Sequence, residues 1–418
     1  MSKVNEHRKG YKHTPLGWIP EEWEIIRLDN LSEIQQGVSK GKLIDKTLAV
    51  KVPYMRVANV KEGTIDLSEV KEILISKNEL SKYILLEGDI LITEGGDPDK
   101  LGRGGMWDGT IKNCVFQNHL FRIRTNRNRL SNFFLYNYFQ GYRAKTYFLS
   151  CAKQTTGIAS INSSQVRATP VVVPTVKEQC RIATILSTWD EAITKTRQLI
   201  TQLHNRKKGL MQRLLTGKKR LKRFNEPWKE IHLADAFNER SETGLTNLDL
   251  LSVGALGVYP QSQSDKRDIS NSDKSKYKRI CPGDIGYNTM RMWQGRSALS
   301  SLEGIVSPSY TIVIPKEGHA GLFYSYLFKF PLVVNKFFRN SQGLVEDTLN
   351  CKFKDFSIVK VVVPEFEEQV AIADLLTKAT EEILLQEQKL TALQLQKKGL
   401  MQKLLTGEVR VNIDKQFN

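Results

Sequence analysis

The chain has 418 residues, with 62 Lys and Arg against 45 Asp and Glu, which gives a formal net charge of +17. Its length predicts two or three domains, and its 40% hydrophobic and 9% aromatic content excludes a disordered chain because enough apolar surface is present to offset the entropy of ordering. The excess of positive charge favours a polyanionic partner, with nucleic acid ahead of an anionic membrane.

The N-terminal residues 1–12 are polar and include Lys3, Arg8 and Lys9, so no secretory signal is expected there. The longest apolar runs have the length of strands and are too short to cross a bilayer. We therefore expect a cytoplasmic protein without a membrane partner. The five cysteines are scattered without a CxxC pair, which favours reduced and mostly buried thiols over a zinc site.

Residues 1–174 are predicted to form a first globular domain of mixed strands and helices. Gly88-Asp89-Ile90 combines a turn pair with the start of an apolar strand. An aromatic helix is predicted from Phe133 to Tyr147, and a β-branched run ends at Pro174.

A long helix is predicted over residues 175–217. Thr175 and Glu178 have the spacing of a capping box, and Gly217 suits the left-handed position that follows a helix. Apolar residues recur at alternating steps of four and three, which is typical of a coiled coil. The residues assigned to helix pairing and partner docking are Ile182, Leu186, Ile193, Leu203, Leu210 and Leu214.

A basic segment, Lys218–Arg223, leads into a second predicted domain, which spans residues 218–364. This segment is either a solvated connector, whose cations favour the C-terminal end of the helix, or a phosphate contact. The second domain resembles the first. Trp228 opens a stretch similar to that of Trp23, Gly283-Asp284-Ile285 repeats Gly88-Asp89-Ile90, and an aromatic helix is predicted from Leu322 to Phe338.

A second long helix is predicted over residues 365–410, followed by a tail at 411–418. It repeats the first helix at an offset of 190 residues, from Val-Val-Val-Pro through Glu-Gln to Leu-Leu-Thr-Gly. The corresponding pairing residues are Ile372, Leu376, Ile383, Leu393, Leu400 and Leu404. Two seams of equal length favour pairing between the helices, and the alternative is a helical arm packed on its own domain. The chain is therefore a tandem duplication, with each helix about 60 Å long.

No catalytic constellation is recognisable in the sequence. It contains no GxxxxGK[ST] loop, GxSxG elbow or HExxH pair, and its six histidines lie far from any cysteine at ligand spacing. No catalytic or metal-ligating residue is therefore predicted.

Polar, aromatic and basic residues in the predicted loops are candidates for DNA contact. Arg, Asn and Gln can form bidentate hydrogen bonds with base edges in the major groove, and Met and Trp can supply apolar contact. Each residue has a structural alternative, since Trp is more often in a core and an Arg can form a local ion pair. The candidates are Arg56, Asn59, Glu94, Arg103, Asn118 and His119 in the first domain, and Asn288, Met290, Arg291, Trp293, Gln294, Arg296, Ser307 and Tyr310 in the second.

These motifs resemble those of the specificity subunits of type I restriction–modification systems. In the first domain the pattern includes Pro53–Val60, Gly88–Leu91, Asn118-His119 and Gly157-Ile158. In the second it includes Gly283–Ile285, Tyr287-Asn288, Met290-Arg291, Trp293–Gly295 and Ser307–Tyr310. The resemblance covers essentially the whole chain, and the duplicated order of the motifs is more specific than any single motif.

The resemblance implies a mixed α/β fold. Two similar target-recognition domains would be separated by two long helices that pair as an antiparallel coiled coil, in a pseudo-twofold tandem repeat. Each domain would bind one half of a split, asymmetric double-stranded DNA site, and the helices would set the distance between the halves. A length of about 60 Å corresponds to roughly 15 to 18 base pairs.

The resemblance also implies that this chain is not itself an enzyme. It would be the non-catalytic subunit of an adenine-N6 methyltransferase and endonuclease complex, in which it directs methylation and restriction. Two methyltransferase (modification) subunits would bring S-adenosylmethionine and flip out the target adenine. Restriction and translocase subunits would use ATP and Mg, and this chain would bind no cofactor.

Two other functions remain open at the level of sequence. One is a coiled-coil scaffold or adaptor with non-specific nucleic-acid affinity, and the other is a single-chain nuclease with an unrecognised site. A specificity subunit should discriminate among DNA duplexes, whereas an adaptor should bind all of them equally. Metal-dependent DNA cleavage by the purified chain would indicate a nuclease.

Overall fold

The structure is a computed structural model that describes residues 9–41, 45, 47–98, 101–155, 157–254, 257–264, 270–345 and 348–413, the side chains of 154 and 155 excepted. Contacts divide the described chain into two units. The first comprises residues within Met1–Lys195 and Leu390–Asn418, and the second comprises Thr196–Lys389. This division falls inside the two long helices, whereas the sequence placed domain boundaries at the helix ends.

The first unit opens with strands and contains four short helices and part of each long helix. Its strands are β1 (Tyr11–Thr14), β2 (Gly17–Pro20), β3 (Glu24–Arg27), β4 (Ser32–Gln36), β5 (Ala49–Met55), β6 (Lys71–Ser76), β7 (Ile90–Thr93), β8 (Gly95–Gly96), β9 (Gly104–Met106), β10 (Val115–Phe116), β11 (Leu120–Thr125), β12 (Lys153–Thr155), β13 (Ile158–Ser160) and β14 (Pro170–Val173). Its helices are α1 (Lys77–Tyr83), α2 (Asn132–Gln140), α3 (Tyr142–Cys151), α4 (Ser163–Arg167) and the start of α5 (Val176–Leu214).

The second unit follows the same plan with fewer strands. Its strands are β15 (Lys229–His232), β16 (Phe237–Arg240), β17 (Leu251–Gly254), β18 (Gly257–Pro260), β19 (Lys278–Ile280), β20 (Ile285–Asn288), β21 (Ser297–Leu299), β22 (Gly304–Val306), β23 (Tyr310–Pro315) and β24 (Lys360–Val363). Its helices are α6 (Leu233–Ala236), α7 (Gly321–Leu327), α8 (Pro331–Asn340), α9 (Phe353–Ser357) and the start of α10 (Phe366–Thr406).

Each unit is centred on an antiparallel four-stranded sheet with the same topology. The order is β4-β11-β7-β9 in the first unit and β16-β23-β20-β21 in the second. In the first sheet, Ile90, Ile92 and Ile123 pack in the main core, while Leu91 and Leu120 pack in a separate cluster on the opposite face. Burial on both faces explains why these strands are nearly continuous apolar runs.

Each predicted aromatic helix is two helices in the structure, so the prediction of single helices was wrong. In the first unit the chain breaks at Gly141, whose ψ of 162° is extended, between α2 and α3. In the second unit α8 starts at Pro331, which lacks the amide hydrogen needed to continue a helix from α7. Both breaks are caused by residues that disfavour a helix interior.

The long helices are present and end where their glycines predict. Helix α5 has 39 residues and α10 has 41, so each is roughly 60 Å long. Gly217 and Gly407 have φ of +67° and +75°, the left-handed conformation that follows a helix C-terminus. At the first helix start, the backbone amide of Glu178 donates to Thr175 Oγ1 at 3.4 Å, which forms one half of the predicted capping box.

Within each unit the two helix segments run antiparallel. In the first unit, Lys397 Nζ lies 2.7 Å from Asp190 Oδ1, and Arg410 pairs with Glu178. In the second unit, Arg206 Nη1 lies 3.3 Å from Glu382 Oε2. As residue numbers rise along α5, the numbers of their partners on α10, or just after it for Arg410, fall, so the expected antiparallel pairing is confirmed.

The predicted seam is buried or half-buried, and its ends also belong to the domain cores. Ile182, Leu186 and Leu404 are part of the core of the first unit, and Leu214, Ile372 and Leu376 are part of that of the second. Ile193, Leu203 and Ile383 are buried, while Leu210, Leu393 and Leu400 are half-buried. The helices therefore pair with each other and also pack on the domains.

The repeated Glu-Gln pair fastens the start of each long helix to its domain. Gln179 Oε1 accepts a hydrogen bond from the Ser131 backbone amide at 2.8 Å, and Gln369 Oε1 accepts one from that of Ala320 at 2.9 Å. The preceding glutamates, Glu178 and Glu368, are 3% and 0% exposed. Their carboxylates form two equivalent clusters with a tryptophan and an arginine.

In the Glu368 cluster, Arg220 Nε and Nη2 each donate to a different carboxylate oxygen of Glu368 at 2.7 Å. Trp228 Nε1 donates to the same carboxylate at 3.1 Å, and the Arg220 guanidinium lies over the Trp228 ring. The basic segment after α5 thus contains a structural arginine. In the Glu178 cluster, Trp23 and Arg410 have the corresponding positions.

Candidate nucleic-acid interface

The candidate residues of the second domain lie on two adjoining loops that follow β20 and precede β23. The backbone amide and the hydroxyl of Thr289 both donate to the carbonyl of Ser309, at 3.0 and 2.9 Å. The Asn288 Oδ1 accepts from the Met290 amide at 3.0 Å, which shapes the turn into the first loop. These bonds hold the loops together at one edge of the central sheet.

The first of these loops presents most of its polar residues to solvent. Met290, Arg291, Gln294 and Arg296 are exposed. Trp293 is half-buried, and its Nε1 donates to the Met290 carbonyl at 2.9 Å while its ring lies edge-on to Phe338. Trp293 therefore supports the loop, and the arginines and glutamine are the side chains available to a partner.

Ser307 and Tyr310 on the second loop are half-buried. Burial raises the pKa of the Tyr310 hydroxyl, and the neighbouring Asn288 side chain partly offsets that rise. Ser307 Oγ accepts from the Ser309 amide at 3.4 Å. Both residues thus shape the edge of the sheet.

An open cleft of about 550 Å³ lies beside these two loops. Three lysines line it, Lys278 from β19 and Lys352 and Lys354 from the start of α9, together with Met290 and Ser309. Neither the lysines nor Asn350, which also lines the cleft, was predicted from the sequence. Comparison of the two repeats could have found the lysines. At the offset of 190 residues, Lys352 and Lys354 align with Asn162 and Ser164, which are uncharged, so the two domains differ in charge at this point.

In the first domain, Arg56 and Asn59 form a local structure. The amide of Asn59 is 3% exposed; its Oδ1 accepts from the Arg56 backbone, and its Nδ2 donates to the carbonyls of Asp66 and Glu69. With its hydrogen bonds directed inward, Asn59 is a structural residue, and its assignment as a DNA contact is corrected. Arg56 Nη2 lies 3.3 Å from Glu69 Oε2, the local ion pair that was its alternative.

The other candidates of the first domain lie at the end of its central sheet. His119 Nδ1 and Glu94 Oε2 form a hydrogen bond at 2.6 Å, with His119 the more exposed of the two. Asn118 and Arg103 are half-buried. The Arg103 Nε is buried and has no hydrogen-bond partner among the residues that the structure describes.

Backbone hydrogen bonds align the candidate positions of the two domains. The Glu94 amide donates to the His119 carbonyl and the Thr289 amide to the Ser309 carbonyl, both at 3.0 Å. The carbonyls of Glu94 and Thr289 in turn accept from the amides of Ile161 and Cys351, both at 2.8 Å. Glu94 and His119 therefore occupy the places of Thr289 and Ser309 on equivalent backbones.

The comparisons with known proteins agree with this duplicated architecture. The family model described as the type I restriction modification DNA specificity domain matches residues 20–205. A chain assigned as the MjaX type I restriction enzyme specificity subunit of Methanocaldococcus jannaschii is 25% identical, and the alignment covers 96% of this chain and 97% of that one. Over nearly its whole length the chain is therefore similar to type I specificity subunits.

Solved structures of specificity subunits share the fold. The S subunit of a type I restriction–modification system from M. genitalium has a TM-score of 0.55 at 16% identity, covering 91% of this chain and 96% of that one. The HsdS subunit from Thermoanaerobacter tengcongensis has a TM-score of 0.51 at 16% identity, covering 94% and 98%.

Type I specificity subunits recognise DNA target sequences and are non-catalytic components of their systems. Among the described residues, no group of three or more His, Cys, Asp or Glu side chains is arranged to hold a metal ion. No helix in the described part of the chain has the length and hydropathy of a membrane span.

Proposed function

We propose that this chain is a type I specificity subunit that recognises a bipartite, asymmetric site in double-stranded DNA, with one half-site bound by each domain. The observation that carries the proposal is the equivalence of the two domains. Two backbone hydrogen bonds recur at equivalent positions beside the loops of both domains, yet the side chains there differ: Glu94 and His119 correspond to Thr289 and Ser309. Equivalent scaffolds with different contact groups favour different base sequences.

The charge of the chain supports binding to duplex DNA. The excess of 17 positive charges attracts a phosphate backbone, and the exposed Arg291 and Arg296 lie on a loop that is fixed by Thr289 and Asn288. Arginine and glutamine side chains on such a loop can form bidentate contacts with guanine and adenine.

In this proposal the paired helices set the spacing between the half-sites. Both helices run without a break, and a length of roughly 60 Å corresponds to roughly 15 to 18 base pairs. The ion pairs between Asp190 and Lys397 and between Arg206 and Glu382 fix the register of the helices within each unit.

The partners in the proposal are two methyltransferase subunits and, where restriction occurs, restriction and translocase subunits. S-adenosylmethionine, ATP and Mg belong to those partners, and this chain binds none of them. A solved structure from work on complex assembly of a type I restriction–modification system has the same fold. It aligns with a TM-score of 0.58 at 15% identity, covering 94% of this chain and 99% of that one.

The test is selection of bound duplexes from a random pool by the full chain together with its methyltransferase partner. We expect two short sequence blocks separated by a gap of fixed length. Arg291→Ala should relax only the block bound by the second domain. Arg339→Ala on α8 is the matched control, because that exposed arginine lies outside the loops. Equal recovery of all duplexes by the unaltered complex contradicts the proposal and favours a non-specific adaptor.

A further inference from the structure

The cleft beside the loops of the second domain contains a buried hydrogen-bonding group without a partner. Asn350 Oδ1 is buried, and no residue in the described part of the chain donates to it. An unsatisfied buried acceptor is unfavourable, so a ligand that supplies a donor is favoured there.

The backbone around Asn350 is held rigidly against the loops. Asn350 exchanges two backbone hydrogen bonds with Gln342, at 2.8 and 2.9 Å. The next residue, Cys351, is buried, and its amide donates to the carbonyl of Thr289 at 2.8 Å. The side chain is therefore placed beside the loop that carries Met290 and Arg291 before any ligand binds.

The charges that surround Asn350 suit a polyanion. Lys352 and Lys354 are exposed, and neither forms an ion pair with another described residue. Lys278 is paired at 3.7 Å with Glu239, the one acidic residue among the described residues that line the cleft. Two unpaired ammonium groups at the mouth of a cleft with an unsatisfied acceptor fit a nucleotide, whose phosphate and base supply the two complementary features.

We propose that Asn350 contacts a base of the half-site bound by the second domain and accepts a hydrogen bond from its exocyclic amino group. In the major groove that group is N6 of adenine or N4 of cytosine, and Asn forms its bidentate pair with adenine. Lys352 and Lys354 bind the adjoining phosphates. This inference rests on the proposed function, since it names one position of the site that the second domain recognises.

The first domain lacks this arrangement. At the same offset, Ser160 occupies the place of Asn350, and the uncharged Asn162 and Ser164 replace the two lysines. The backbone is nevertheless equivalent, because α4 and α9 both have five residues and follow the paired amides of Ile161 and Cys351. A change at Asn350 should therefore alter one half-site and leave the other intact.

The experiment compares duplex selection by the full chain with its methyltransferase partner for the unaltered protein and for Asn350→Ala and Asn350→Asp. We expect Asn350→Ala to reduce discrimination at one position by about ten- to a hundred-fold. Asn350→Asp keeps the acceptor and loses the donor, so it should favour cytosine at that position. If the preferred base changes from adenine in the unaltered protein to cytosine in Asn350→Asp, Asn350 contacts adenine. If cytosine is preferred by both proteins, Asn350 contacts cytosine.

Lys352→Ala and Lys354→Ala should weaken binding to all sequences alike and lower the slope of log affinity against log salt by about 1 each. Asn340→Ala is the matched control for Asn350, because the Asn340 amide donates to the Lys336 carbonyl on α8 and does not line the cleft. Unchanged preferences at the other positions of the second half-site report in the same experiment that the second domain of each variant is folded.

Unchanged preferences in Asn350→Ala, or relaxation at a guanine or thymine, would overturn the inference. So would equal loss at both half-sites. These outcomes differ from failure of the proposed function, in which the unaltered complex itself selects no bipartite sequence.

Discussion

The Glu368 cluster provides a direct test of how the second domain is attached to its long helix. Glu368 is fully buried, and its carboxylate accepts three hydrogen bonds, two from Arg220 and one from Trp228. Glu368→Ala removes all three and leaves the guanidinium unpaired. The Arg220 side chain is 26% exposed, so it can recover part of its hydration.

Removing one partner of a buried ion pair lowers the free energy of unfolding by about 3–5 kcal/mol. Because Arg220 is partly hydrated, we expect Glu368→Ala to lower it by about 3 kcal/mol. For a unit of this size, that corresponds to a fall of roughly 6 to 12 °C in the unfolding midpoint. Arg220→Ala should cost at least as much, because it leaves a fully buried carboxylate without its cation. The double variant should lose less than the sum of the two.

Glu367→Ala is the matched control. Glu367 lies in the same first turn of α10 but is exposed, so its removal costs only the helix-dipole interaction of about 0.3–1 kcal/mol. Unfolding in urea is the suitable assay, followed by circular dichroism and by tryptophan fluorescence, because guanidinium salt would screen the ion pair. Equal midpoints for Glu368→Ala and Glu367→Ala, or additive losses in the double variant, would show that the cluster does not fasten the helix.

Three further predictions follow from particular positions. Gly407→Ala should destabilise the fold, because φ is +75° and an added Cβ would lie 2.5 Å from Pro20, whereas Gly209→Ala inside α5 meets nothing within 4 Å and should be neutral or stabilising by about 0.5–1 kcal/mol in the same urea assay. A maleimide should label the exposed Cys180 first at pH 8, while Cys114 and Cys351, whose thiol pKa is raised to about 12 by burial, stay protonated and unlabelled until unfolding, as mass spectrometry can check. Inserting one heptad near Gln198 should lengthen the gap between the selected half-sites without changing either sequence, and altered half-sites at unchanged spacing would contradict the role of the helices.

The repeat made the long helices and the duplicated domains predictable from the sequence. A heptad seam, a proline before it and a glycine after it are local signals, and they fixed the helix limits to within a few residues. The signals that divide the aromatic helices, Gly141 and Pro331, were also visible but were outweighed by the apolar pattern around them. These errors concern the relative weight of local signals.

Side-chain roles in the candidate interface were less predictable, since they depend on residues distant in sequence. Asn59 has a side chain of the type that contacts bases, yet its amide nitrogen donates to the carbonyls of Asp66 and Glu69. Arg220 belongs to a basic run, yet it pairs with a glutamate 148 positions away. The thiols show the same limit, because Cys180 is exposed although mostly buried thiols were expected.

The duplication itself separates structural positions from recognition positions. Asp89 and Asp284, from the repeated Gly-Asp-Ile motif, are both 2% exposed and accept backbone amides, from Leu86 at 2.8 Å and Cys281 at 2.7 Å. The arginine that neutralises each one comes from β11 in the first domain, as Arg124, and from β16 in the second, as Arg240. The aspartate is the same in both domains, whereas the arginine that pairs with it comes from a different strand in each. The aspartate is therefore required by the turn whose backbone amide it accepts.

The loops that these turns support follow the opposite rule. The backbone hydrogen bond between the two loops is 3.0 Å long in both domains, while the residues that form it are Glu94 and His119 in the first and Thr289 and Ser309 in the second. A duplicated binding protein that must recognise two different half-sites requires this combination, since the supporting backbone has to stay fixed for the exchanged side chains to meet the DNA in a defined position. Positions that are identical in the two domains, such as Asp89 and Asp284, are therefore the ones to test by stability, and positions that differ on equivalent backbones, such as Ser160 and Asn350, are the ones to test by sequence preference.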